Sequence, residues 1–251
     1  MKILITAIIL SLSLTTFAKD IVLTEKTTVA LNGEVSAESM ALASQELMDK
    51  CTAEKPDLFL ILNSPGGDVV AGNSFISFVK GLDCKVHTVT MFAASMAYII
   101  AERLDNRYAL ESSIYMSHRM KMGMAGQVPG EFVTRYLFYK SIGDEINKKI
   151  ADRVGISVDE YVKQTYDELW LTGQQAVDKN HADKLVTVSC DNTLKGQKSQ
   201  VFNTFFGPVT VVFSKCPLIG DPLEIKLGSK KAIEQFMVPF KVMKDLSQQI
   251  K

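Results

Sequence analysis

The feature that most restricts how this chain can fold is a strand-to-helix crossing made twice in succession. Asp57–Leu62 holds a short apolar run of the buried-strand kind, closed by Asn63-Ser64-Pro65-Gly66-Gly67 and followed by a helical pattern over Ala71–Val79. Cys84–Met91 is the next strand, and a second helical pattern covers Ala93–Glu102 with Ser95 in its first turn. Short apolar runs bounded by Gly and Pro read as strands, and apolar residues three and four apart read as helices. Strand and helix in alternation predict an α/β fold of mostly parallel strands with crossover helices. Consecutive crossings of such a sheet bring their turns to the same edge. The Ser64–Gly67 turn and the Ala93–Met96 turn are therefore expected to be neighbours.

The remaining pattern extends this plan. Ile21–Leu31 alternates loosely up to Asn32-Gly33, and Met40, Leu42, Ala43, Leu47 and Met48 set a helix between Ser36 and Met48. Tyr108–Leu110 and Ile114–Met116 are two short strand pieces that lead to His118. Gly130–Val154 predicts one long helix, aromatic near its start at Phe132, Tyr136, Phe138 and Tyr139. A helix of that length can stand out from the body as an assembly arm. Helices over Val158–Thr165 and Gly173–Lys179 precede a strand at Lys184–Val188. From Ser189 the texture changes to a hairpin, Val201–Phe206 and Val209–Phe213 about Gly207-Pro208. A last helix follows Ser229, kinked at Pro239, with Ile233, Phe236, Met237, Phe240 and Met243 as its apolar stripe.

Residues 1–18 stand apart. Lys2, the apolar run Ile3–Leu14 and the small residues Thr16 and Ala18 have the three-part layout of a cleaved secretory leader. The run is short of the roughly 20 residues a membrane-spanning helix needs. The expected division is thus a leader at 1–18, a main domain at 19–189 and a C-terminal extension at 190–251, exported across the inner membrane to the periplasm. With 28 basic and 28 acidic residues and no basic block, nothing suggests a nucleic-acid partner. The four cysteines fit export. Cys51 and Cys84 each precede a strand that neighbours the other's, and Cys190 and Cys216 flank the hairpin. Cys51–Cys84 and Cys190–Cys216 are the preferred pairing of the three possible, with buried thiols as the alternative.

Four places can carry chemistry. Ser95 lies at a helix start, where backbone N–H groups lack intrahelical partners and the dipole favours negative charge. An ordinary helix cap is the plain alternative there. Gly66 and Gly67 can bring backbone N–H groups close to a ligand. His118 ends a strand, whereas His87 lies inside one and His181 sits in a polar turn, which makes both poorer bases. Asp167-Glu168, ahead of Leu169-Trp170-Leu171-Thr172, offers two carboxylates.

Taken together these residues resemble the Clp protease proteolytic subunit family, serine peptidases of the crotonase-like fold with a long handle helix. Asn63-Ser64-Pro65-Gly66-Gly67 with Ala71-Gly72 matches its substrate-side turn, and Ala93-Ala94-Ser95-Met96 its nucleophile motif. Ser113-Ile114-Tyr115-Met116-Ser117-His118 matches its histidine motif, and Thr165–Ala176 the segment around its acid. The resemblance, from about Ile21 to Val188, implies Ser95 as nucleophile, His118 as base and Glu168 as acid, with Asp167 as rival. It implies an oxyanion hole from the N–H groups of Gly67 and Met96 beside Gly66. A segment around Gly123, Gly126 and Gln127 would hold peptide by strand addition. No metal or cofactor is implied, the substrate would be peptide or unfolded protein, and the handle would make a homo-oligomer.

The chain also departs from the family. Met91, Phe92 and Ala97 stand where small glycines are usual, and Arg119-Met120 replaces Gln-Pro. A leader in place of the N-terminal loops leaves no ATPase partner to engage. Two other readings are a Ser–Lys enzyme like signal-peptide peptidases, with Lys121 as base, and a catalytically dead crotonase-fold interaction protein.

Overall fold

The computed structural model describes residues 21–204 and 207–226, so the leader and the last helix expected after Ser229 lie outside the described residues. A central six-stranded sheet uses β2 (Thr28–Asn32), β3 (Leu58–Ser64), β4 (Val86–Ala94), β5 (Arg107–Ser117) and β6 (Leu169–Thr172) in that order, with β7 (Lys184–Leu185) also on β5. The pairs from β2 to β5 are parallel, and β6 joins antiparallel, Ser117 opposite Leu169. Crossovers are made by α1 (Ala37–Lys50), α2 (Val69–Lys80) and α3 (Met96–Arg103). The α/β class read from the alternation is what the chain adopts.

Caps set the helix starts. The Ser36 hydroxyl accepts from the Ser39 amide ahead of α1, and the Asp68 carboxylate accepts from Ala71 ahead of α2, which moves that start back to Val69. One face of the sheet packs Leu58, Leu60, Leu62, Val86 and Ala93 against the helices. The other buries Ile61 and Val89 with β1 (Ile21–Leu23), Leu194 and Leu218. β1 itself pairs with β8 (Val188–Cys190), so the single strand expected over Lys184–Val188 is two, turning between sheets after Leu185.

Several expectations need correction. Ala93 and Ala94 belong to β4, not to the next helix: they pair with Tyr115 and Met116, and buried strand pairing overrides alanine's helical preference. The two pieces ahead of His118 are one irregular strand, because the Ser113 hydroxyl donates to the Thr90 carbonyl and accepts from the Leu110 amide across the register shift. β6 was not anticipated. In the C-terminal region β9 (Gln197–Thr204) and β10 (Gly207–Ser214) pair from Gln197–Ser214 to Thr204–Gly207, so Gly207 and Pro208 lie in the second strand and not in the turn. β11 (Glu224–Lys226) completes that antiparallel sheet.

Both cysteine pairs are disulfides, with Cα atoms 5.7 Å apart for Cys51–Cys84 and 5.8 Å for Cys190–Cys216. The first ties the end of α1 to the approach to β4, and the second fastens the chain just after Ser214 to β8. The long helix α4 spans Gly130–Val154 as expected. Its second half buries Ile146, Ile150, Ala151 and Val154, while Phe132, Val133, Tyr136, Leu137 and Phe138 are exposed on the first. Among the described residues no helix is long and apolar enough to cross a membrane.

Candidate active site

The two turns do meet at the C-terminal ends of β3 and β4. Gly66 is buried with φ +90°, and a Cβ there would lie 2.5 Å from the Ala94 carbonyl oxygen and 2.7 Å from both Met96 N and Ser95 Cβ. Only a glycine lets the backbones touch at this point. The turn is tied to the loop after β2, because Val35 N–H donates to Gly66 O and Asp68 N–H donates to Val35 O, each at 2.8 Å. Those two bonds skip the amide of Gly67, which lies exposed between them. Gly72 is small for a related reason, since a Cβ there would strike the Met96 side chain at 2.5 Å.

Ser95 sits between β4 and α3 with φ +54° and ψ −119°, a left-handed conformation that costs a serine stability. A serine at a helix start ordinarily turns its hydroxyl back onto the helix amides. This one makes no such bond. Its N–H donates to the Met116 carbonyl at 2.9 Å, and its Oγ lies 2.9 Å from His118 Nε2. The strained turn thus aims the hydroxyl out of the helix and at the imidazole.

His118 follows the end of β5 and is half-buried. Burial pushes its pKa below the usual histidine value, and the Lys121 cation adds to that effect. The Glu168 carboxylate and the Arg119 backbone act in the opposite direction. A neutral imidazole next to a hydroxyl can accept its proton. His118 Nδ1 is buried and has no hydrogen-bond partner among the described residues.

The two carboxylates are placed less tightly. Both are exposed; Glu168 accepts from Trp170 Nε1 at 2.8 Å, and Asp167 lines the cleft that holds Ser95 and His118. Neither bonds to His118 in this structure. Arg119 stacks 4.1 Å over the Tyr166 ring and so fastens the chain after the histidine to the acidic loop. Lys121 also lines the cleft, but the hydroxyl of Ser95 faces His118. Gly123 and Gln127 are exposed in an irregular stretch, residues 118–128, that forms no strand; a Cβ on Gly123 would meet nothing within 4 Å. The other histidines are structural. His87 Nδ1 bonds with Asn106, and His181 is buried against Tyr98 rather than solvated in its turn.

A largely parallel α/β sheet that carries a serine–histidine pair at a strained strand-to-helix turn has the layout of an α/β serine hydrolase. The Clp protease family matches residues 15–189 of the chain. Among similar proteins are ATP-dependent Clp protease proteolytic subunit 2 of Treponema pallidum, 27% identical over 169 residues, or 65% of this chain and 83% of the relative. Proteolytic subunit 1 of Bacillus cereus is 30% identical over 159 residues, 62% and 80% of the two chains. The proteolytic subunit of Ligilactobacillus salivarius is 30% identical over 169 residues, 63% and 82%. The chain belongs to the Clp protease family and is a serine peptidase.

Proposed function

We propose that the protein is an exported endopeptidase that hydrolyses peptides or unfolded proteins without an ATPase partner, through Ser95, His118 and Glu168. The observation that carries this reading is the 2.9 Å contact between Ser95 Oγ and His118 Nε2 at a turn whose serine forgoes capping. Ser95 attacks the scissile carbonyl as His118 takes its proton, and the resulting imidazolium protonates the leaving amine. The N–H groups of Gly67 and Met96 face the developing oxyanion. A water then repeats the sequence on the acyl-enzyme.

Register favours Glu168 over Asp167 as the acid. Ser117 pairs with Leu169 across β5 and β6, and one further step of that antiparallel register would bring Glu168, not Asp167, opposite His118. Its charge is also the carboxylate that acts on the imidazole. Two disulfides and the leader-like first 18 residues support an oxidising compartment, the periplasm. The cytosolic ATP of an unfoldase is absent there. The exposed apolar residues on the first half of α4 support self-assembly, in keeping with a crotonase-like oligomer. Peptide would add along the stretch near Gly123 and Gln127.

The test is labelling of the folded protein with a fluorophosphonate, together with peptide hydrolysis. Wild type should react, and Ser95→Ala and His118→Ala should not. Unlabelled, folded and assembled wild type would sink the reading in favour of an inactive scaffold. Glu168→Gln should lower kcat on the order of a hundredfold or more and Asp167→Asn far less; the reverse order would hand the role to Asp167.

A further inference from the structure

A run of buried hydroxyl and imidazole groups joins the elements that carry the reacting residues, and the reaction above makes no use of it. Ser117, the neighbour of His118, shares a 2.7 Å hydrogen bond with the Tyr161 hydroxyl, and both side chains are buried. Tyr161 lies on α5 (Val158–Gln164). Its carbonyl accepts from the Thr165 amide at 3.0 Å and the Thr165 hydroxyl at 2.9 Å, which fixes the start of the loop bearing Asp167 and Glu168. The Tyr161 hydroxyl also neighbours that of Tyr98, one turn along α3 from Ser95.

Tyr98 in turn lies 2.7 Å from His181 Nδ1, and that nitrogen is 3.6 Å from Glu102 Oε1. Glu102 is buried and held by Arg107 at 2.6 Å, and Arg107 also grips Asp183. The far end of the run is therefore an ion pair with little freedom to slide. The near end touches the residue before His118.

We propose that Tyr161, with Tyr98, is a positioning residue for the Ser95–His118 pair. The Ser117–Tyr161 hydrogen bond locks the end of β5 to α5, and Tyr98, beside Tyr161 and bonded to His181, extends the polar cluster to α3, so that base, nucleophile and acidic loop are fixed relative to one another. Apolar packing would fill the same space, but it sets angles only loosely. Hydrogen bonds are directional, and a buried hydroxyl deprived of its partner costs about 1–3 kcal/mol. A slip that breaks the run is thereby penalised before it can open the nucleophile–base contact. An error of about 1 Å in such a contact can lower a rate about a hundredfold.

The proposal rests on Ser95 and His118 as the reacting pair, so its test uses one readout that needs activity and one that does not. In the full-length protein, Tyr161→Phe should lower kcat about tenfold with KM within about twofold. The imidazole titration of His118, followed by NMR, should move up toward the ordinary histidine value as the loosened ring gains water. Ser117→Ala should act alike, and the double variant should be no worse than either, since both remove one link. An unchanged His118 titration with wild-type kcat, or losses that multiply in the double variant, would overturn the proposal. Absence of Ser95-dependent hydrolysis in wild type would sink the peptidase reading instead, and the titration would still decide the positioning role. Should Tyr161→Phe fail to fold, Tyr98→Phe removes the adjoining hydroxyl and is judged by the same two measurements.

Discussion

Replacing Gly66 by alanine tests the contact between the two turns. The new methyl would lie 2.5 Å from the Ala94 carbonyl oxygen, where 3.4 Å is the onset of ordinary contact, so one turn must retreat by 3.4 − 2.5 = 0.9 Å. The atoms it meets are backbone or Ser95 Cβ, none of which can swing aside. Moving the nucleophile by about that much should lower kcat/KM about a hundredfold, or about 2.7 kcal/mol. The left-handed φ adds about 1–2 kcal/mol of strain to the folded state. Gly33→Ala separates the two effects, because Gly33 has φ +93° but nothing within 4 Å of the added methyl. It should lose only the strain, about 1–2 kcal/mol in urea, and retain its rate per folded molecule. Peptide hydrolysis and fluorophosphonate labelling, each normalised to folded protein, are the assays. Equal rates for Gly66→Ala and Gly33→Ala would refute the reasoning, for the clash would then not reach Ser95.

Other outcomes follow from charge and covalent ties. His118 must be neutral to accept a proton, and its pKa is depressed, so activity should persist as pH falls below the ordinary histidine value and fade on the acid side only there. Lys121→Gln removes one cause of the depression and should move that acid limb to higher pH; an unmoved limb would remove Lys121 from the electrostatics of the site. Replacing Cys51 and Cys84 by alanine should cost about 2–4 kcal/mol in urea unfolding while the Ser95 site still labels. Glu102→Gln weakens the buried partner of Arg107 and should cost about 3–5 kcal/mol, and a loss under 1 kcal/mol would show that Arg107 is satisfied by Asp183 alone.

Local pattern revealed the parts of the fold that local pattern controls. The strand before Ser64, the helix Gly130–Val154 and the meeting of the two turns were legible, because each depends on apolar spacing or on the rule for consecutive crossings. β6 was missed because Leu169–Thr172 is a strand only through its pairing with β5, which a four-residue segment does not announce. For the same reason the acid could be narrowed to two neighbours and no further; the preference for Glu168 gains its physical support from register. Tyr98, Tyr161 and His181 gave no signal at all. Each looks like ordinary core or turn, and the Ser117–Tyr161 and Tyr98–His181 bonds span separations of 44 and 83 residues.

The backbone of Ser95 bears on how such a chain persists. Most residues with a side chain avoid φ +54°, and glycine would sit there without strain. Mutation left to drift tends to relieve strain that serves no purpose, since a relieved variant folds better and forfeits nothing. A lineage that had abandoned the chemistry would find Gly at this turn an easy improvement. A serine at this torsion is what use of the proposed nucleophile would preserve, in the one place where stability and reactivity pull in opposite directions.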